Sequence, residues 1–321
     1  MTKIKDRKWI AKRLAQLDPY KDYAEIMKLS VIYRNNDAFM DLVYAVTFPN
    51  FIVPNRGALA VMRDGKGKAV RHGERRMDET GRHILIWKEF GPEHEFTQRS
   101  VASLNKLHMF WSKHYPDGFS FDEDYKYVMC YETTLFHRLL TRVGSKGLSE
   151  KEKIASLEFY KNMAPMFINP ITGEPIQGPE DTFDKCVAFA EAYENTKRDA
   201  NKCADLIEEY MLKSFGRRHF PPALQPFAYS LVLSLLPDGT VKGLGLKPAS
   251  PLTKRFCRFA FRSFLWVGET LAPDPKQSYP ELLRARKGWS VEEYVSSVAG
   301  GMQTQPQALN SSGDVLETGT H

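Results

Sequence analysis

Apolar residues recur along this 321-residue chain at the three-and-four spacing of amphipathic helices, and no stretch sustains the alternation of a half-buried strand. That periodicity confines the chain to packed helices, because each apolar stripe must be covered by another element. A hydrophobic content of 42% and this length suffice for one sizeable core. The expected fold class is all-α. A single helical domain is expected over residues 1–299, followed by a disordered tail over 300–321, where Gly, Gln, Ser and Thr predominate.

Local punctuation sets the expected elements. Two helices are expected over 22–33 and 36–48, then a Gly-, Lys- and Arg-rich loop over 63–73. A helix over 76–90 ends at Gly91-Pro92, a strong stop because glycine suits the helix exit and proline cannot continue it. The next helix runs from about residue 95 to 114 and aligns Val101, Leu104, His108 and Trp111 on one face. Another spans 121–143, with Glu132 on its apolar face beside Val128, Leu135 and Leu139. Ser149-Glu150-Lys151-Glu152 has the pattern of a capping box and opens a helix to 163. A loop over 165–179 leads into a long amphipathic helix over 179–201 and a further one to 214. Helices over 223–236, 252–267 and 291–299 complete the expectation, with a Gly- and Pro-rich connection over 237–251.

Several chemistries find no support in the residues. There is no phosphate-binding G-x-x-x-x-G-K-[ST], no dinucleotide fingerprint, no H-E-x-x-H and no nucleophile elbow. The four cysteines, Cys130, Cys186, Cys203 and Cys257, form no C-x-x-C pair and sit in apolar stretches, as reduced buried thiols do. A net charge of +6 serves solubility, and no basic tract interleaved with aromatics points to nucleic acid. The first residues carry charges where a secretory signal needs an apolar run, and no stretch approaches the roughly 20 apolar residues of a spanning helix. A soluble, cytoplasmic protein is expected; the sequence does not fix its oligomeric state.

The unusual residues fall on two consecutive helices. Arg76 and Thr80 stand one turn apart, with Glu79 beside them. His108 stands in an apolar stripe with Trp111 about one turn later. A short turn makes the two helices antiparallel neighbours. An imidazole in such a stripe is either a hydrogen-bonded core histidine or an axial ligand to haem iron. His83 and His137 are alternative ligands, but each adjoins an arginine, which favours a surface or salt-bridge role. Arg76 and Glu79 could instead form surface ion pairs with Asp64 and Lys66. Glu132 needs a partner, and Arg138 or Arg142 is the expected one; a base of raised pKa is the alternative. Arg255, Arg258 and Arg262 form a stripe that is either a solvated face or a contact for haem propionates or anionic lipid headgroups.

From Glu74 to Tyr193 the chain resembles the catalytic domains of the latex-clearing proteins (rubber oxygenases) and the mycophenolate-pathway MpaB-type oxygenases. The matching features are Arg76 and Thr80 at the start of a helix, Leu107-His108 in the next, and an aromatic helix containing Thr133-Thr134. Leu148 to Glu152 leading to Tyr160 follows, then Pro170 and the segment from Phe183 to Tyr193. The resemblance implies an all-α fold with a globin-like core and b-type haem bound through His108, with Trp111 in the cofactor pocket. It implies a small hydrophobic, isoprenoid-class substrate cleaved with dioxygen. Arg76 and Thr80 would hydrogen-bond the distal ligand, and Glu79 would assist proton handling. Glu79 stands where the rubber oxygenases carry a lysine, so their distal iron ligation and polyisoprene substrate do not carry over. Two other expectations remain open: a non-catalytic carrier of haem or an apolar ligand on the same fold, and a structural helical protein in which His108 is a core residue. Peripheral membrane contact is compatible with all three.

Overall fold

A computed structural model describes residues 7–299; the expected tail over 300–321 lies outside the described residues, as does the N-terminal charge run up to residue 6. The fold is all-α. Among the described residues no sheet forms, and one β-bridge joins Ile168 to Pro175. In chain order the helices are α1 (Trp9–Gln16), α2 (Tyr23–Val31), α3 (Asp37–Phe51), α4 (Asn55–Met62), α5 (Lys68–Arg71), α6 (Gly73–Phe90) and α7 (Glu95–Ser112). There follow α8 (Asp122–Arg142), α9 (Glu150–Met163), α10 (Phe183–Asn195), α11 (Ala204–Ile207), α12 (Ser214–His219) and α13 (Gln225–Leu235). The chain ends with α14 (Asp238–Gly243), α15 (Pro251–Trp266), α16 (Tyr279–Lys287) and α17 (Val291–Ala299). None of these helices is long and apolar enough to cross a membrane.

The caps are where side-chain chemistry places them. Asn36 accepts from the Phe39 amide at 2.9 Å and starts α3. Ser149 and Glu152 form the full capping box of α9. Gly91 ends α6 at φ 81, where its missing side chain also matters, because a Cβ there would stand 2.9 Å from that of Ala24. Three expectations are corrected. The segment expected as a loop over 63–73 holds a 3-10 turn at Arg63–Gly65 and the short α5, with Arg63 and Asp64 both left-handed. The long helix expected over 179–201 is confined to Phe183–Asn195, because Thr182 caps it and the chain turns extended at Thr196. The connection expected over 237–251 contains α14.

Two apolar clusters carry the core. One joins α3, α4, α12, α13 and α15 through residues such as Val46, Met62, Phe215, Val232 and Phe261. The other packs α2 on α9, with Ile26, Phe159 and Met163 fully covered. Ion pairs tie helices together inside this frame. Arg138 of α8 makes a two-pronged contact with Glu194 of α10, at 2.9 and 2.5 Å, and Tyr127 donates to the same carboxylate at 3.0 Å. Arg284 of α16 clasps Glu89 of α6 in the same way, at 2.7 and 2.8 Å.

A buried pair of this kind is costly to break from one side, because the remaining charge keeps its desolvation penalty and loses its partner. Glu194→Ala should therefore destabilise the protein by about 3–5 kcal/mol, read from urea unfolding midpoints. A change under about 1 kcal/mol would mean that Arg138 finds water or another acceptor.

Candidate functional site

The site is built around α6, which is packed on two sides. Its 3.6-residue period sends Met77, Gly81, Ile84 and Lys88 one way and Arg76, His83 and Trp87 another. On the second side α6 meets α7. His83 Nδ1 lies 2.7 Å from the Ser100 hydroxyl, which also accepts from Trp87 Nε1 at 2.9 Å. Burial, with Arg76 nearby, pushes His83 down to about 3. It is therefore a neutral core histidine, not the surface or salt-bridge group expected from its arginine neighbour. His137 accepts the Leu148 amide at 3.2 Å and lies edge-on to Phe183.

His108 differs from both. Its ring packs 5.4 Å from that of Phe119 and makes no hydrogen bond to a described residue. Burial, and then the Arg76 guanidinium, push it down to about 4, so it stands as a neutral imidazole with free nitrogens. Trp111 lies under the Arg63 guanidinium, 3.6 Å from the ring centroid. Arg63 Nε is buried with no hydrogen-bond partner, and burial is the first cause of its depression to about 10, with Arg76 adding to it. Arg76 lies over Phe48 at 5.0 Å and donates to the Thr80 hydroxyl, which in turn donates to the Arg76 carbonyl at 2.8 Å. Neither arginine has a carboxylate partner among the described residues. A neutral imidazole and two unpaired guanidiniums thus share one neighbourhood.

Glu79 is committed elsewhere. Lys68 donates to one of its oxygens and Arg75 Nε to the other at 3.0 Å. Burial alone would raise this carboxyl, but the two cations more than offset it and hold it below the ordinary value. Its partners are thus Lys68 and Arg75, where Lys66 had been the surface alternative.

The other side of α6 forms a wall of a cavity of about 350 Å³, enclosed with α3, α8 and α16. Val43, Phe48, Phe51, Ile84 and Leu135 make it apolar, and Thr80 borders it. His108, Trp111, Arg76 and Glu79 do not border it. Lys88 and Glu132 do. Lys88 is 2% exposed, and its Nζ has no hydrogen-bond partner; it lies over the rings of Phe159 and Tyr160 at 4.2 and 4.3 Å. Burial depresses it to about 7, against the pull of Glu132. Glu132 accepts from the Tyr160 hydroxyl at 3.0 Å, and burial raises its carboxyl despite Lys88 and Tyr160. The expected partners Arg138 and Arg142 are engaged with Glu194 and the Leu235 carbonyl, which corrects that assignment. Lys88 escaped the sequence reading because Trp87-Lys88-Glu89 looks like an ordinary helix surface. The available signal was its register, eleven residues after Met77 and four after Ile84, on the apolar face.

No family model matches the chain, and no curated protein matches it.

The buried lysine makes stability depend on pH. Its folded pKa, about 7, lies below the unfolded value near 10.5, so between them the unfolded chain holds the extra proton. Stability from this group therefore rises as pH climbs through that window. Lys88→Met should raise the melting temperature at pH 7 and flatten that rise, read from thermal unfolding across the window. An unchanged pH profile in the variant would show that the amine is not held in this depressed state.

Proposed function

We propose that this protein is a haem b-dependent oxygenase that uses dioxygen on a small hydrophobic, isoprenoid-class substrate. The observation that carries the reading is the neutral, hydrogen-bond-free imidazole of His108 beside two guanidiniums that no carboxylate balances. Haem b suits this donor set on its own chemistry. Its iron takes a neutral imidazole nitrogen, its propionates take unpaired cations, and its ring takes aromatic neighbours. His108 would hold the iron, Arg63 would face a propionate, and Trp111 and Phe119 would flank the ring. When bound, the haem supplies the binding and activation of dioxygen.

The chain's own groups prepare that chemistry. Arg76 donates to the Thr80 hydroxyl, whose own proton goes to the Arg76 carbonyl, so the contact orients the guanidinium as the donor of this pair. Donors oriented before reaction stabilise developing negative charge without reorganising at the moment it appears. Glu79 holds Lys68 and Arg75 at the start of α6, so both its oxygens are already committed; its part is to fix that end of the helix. The cavity behind Thr80 offers apolar wall to an apolar chain along Val43, Phe48, Phe51, Ile84 and Leu135. This reading keeps the resemblance of the chain to the rubber-oxygenase and MpaB-type catalytic domains, and it rests on the residues named.

A second reading, a non-catalytic carrier of an apolar ligand, is favoured by one observation: the cavity is bordered by Thr80 but not by His108. Oxygen-dependent turnover separates the two.

Protein purified from haem-replete cells should show a Soret band, and His108→Ala should remove most of it. Arg76→Ala should retain haem and lower oxygen-dependent turnover by about 10²–10³, the scale on which losing one such donor acts in a hydrolase. A folded, colourless wild type that takes up no added haem would overturn the oxygenase reading.

A further inference from the structure

Lys88 borders the cavity, and its amine has no acceptor to hold it although it is all but sealed from solvent. A cation left so is unfavourable unless something compensates it. Aromatic faces at Phe159 and Tyr160 and the Glu132 carboxyl surround it, with Tyr160 bonded to Glu132. Elsewhere in the lining Asp41 is paired: it takes His219 at 2.6 Å and Arg218 at 3.2 Å. Among the described residues three lining groups hold a buried polar atom without a partner, Thr47 Oγ1, Arg82 Nε and Lys88 Nζ, and of these the Lys88 amine is the nucleophile. Glu132 beside it disfavours a carboxylate ligand, whereas an uncharged carbonyl compound meets no repulsion there.

We propose that the cavity binds an apolar aldehyde or ketone, with Lys88 forming a reversible imine to its carbonyl carbon. The amine lone pair adds to that carbon, the C=O π-bond gives an alkoxide that takes a proton, and the amine nitrogen loses one. The resulting hydroxyl then leaves as water with a proton from the Glu132 and Tyr160 pair, and the C=N bond forms. No oxidation occurs. The depressed affinity of Lys88 for its proton leaves a large neutral fraction at neutral pH, which addition requires. The proposal concerns Lys88 and the cavity and stands whether or not His108 holds haem.

Full-length protein incubated with decanal and cyanoborohydride near neutral pH, then mapped by peptide mass spectrometry, tests it. Lys88 should acquire the reduced decyl adduct at least about tenfold faster than exposed lysines such as Lys113 and Lys185. Ile84→Trp, which fills the cavity, should slow labelling at Lys88 and leave Lys113 and Lys185 unchanged. Labelling of Lys88 at or below the exposed lysines in the wild type would overturn the imine, as would equal labelling of Lys88 in the filled variant.

A separate observation lies on α15. Leu252, Phe256, Phe259 and Trp266 recur on one stripe of this helix and are exposed, Leu252 at 80% and Phe259 at 67%; Val267 and Leu271 extend the apolar surface beyond it. The opposite side is anchored, with Cys257 and Phe261 buried and Arg258 donating to the Ser234 carbonyl at 3.0 Å. Arg255 and Arg262 flank the exposed stripe and have no carboxylate partner among the described residues. The helix contains no acidic residue. A second copy on a two-fold axis would bring two cationic faces together, whereas an anionic bilayer surface complements both the cations and the apolar stripe.

We infer that α15 lies in the interface of an anionic membrane, with Phe259 and Trp266 among the acyl chains and Arg255 and Arg262 at the headgroups. Vesicle flotation of the full chain tests it, using phosphatidylcholine alone and phosphatidylcholine with phosphatidylserine. Binding should require phosphatidylserine, weaken at least about tenfold in Phe259→Asp, and lose its lipid selectivity in the Arg255→Gln, Arg262→Gln double variant. No binding at low salt would overturn the inference. So would a concentration-dependent dimer that Phe259→Asp dissociates.

Discussion

The fold turns on one helix that has to be buried on two sides. α6 seals one side against α7 through the Ser100 hydroxyl shared by His83 and Trp87. It presents the other to α3, α8 and α16, where side chains do not meet and a cavity of about 350 Å³ remains. Interiors are packed to crystal-like density, so a void of that size lined with apolar groups is a departure from ordinary core packing. The clasp between Arg284 and Glu89 holds α16 against this helix. Through this arrangement Thr80 and Lys88 share a space while Arg76 remains close to His108.

Charge is distributed unevenly in that frame. Glu194, Glu89 and Glu79 are fully matched by arginines or lysines, and each match fixes a helix in place. Among the described residues Arg63, Arg76 and Lys88 have no carboxylate within ion-pair distance. Lys88 is buried and Arg63 and Arg76 are half-buried, and a cation held from water without a counter-charge is unfavourable in isolation. The three fall in two places, on the α7 side of α6 and in the wall of the cavity.

Much of the helical frame could be read from the chain because its signals are local. The capping box at Ser149, the Gly91 stop and the apolar stripes of α6, α7 and α8 depend on residues within a few positions. The left-handed Arg63 carried no such signal, since arginine is not among the residue types that favour that backbone, whereas Asp64 beside it is. The partners of Glu132 were missed for a different reason. Arg138 and Arg142 lie on its own helix, but α10 and α13 claim them, and only the packing of α6 and α9 on α8 brings Lys88 and Tyr160 to the carboxyl. Of the candidate site, the proximity of Arg76 to His108 was legible from two antiparallel helices. The isolation of Glu79 with Lys68 was not, because α5 was expected as loop.

The central claim is that His108 is an iron ligand and not a core histidine. Resonance Raman spectra of the ferrous haem complex address it through the iron–histidine stretching band. The account predicts that band in the wild type, its loss in His108→Gly, and its return when free imidazole is added to fill the vacated place. An identical band in His108→Gly without imidazole would assign the iron to another residue and contradict the account.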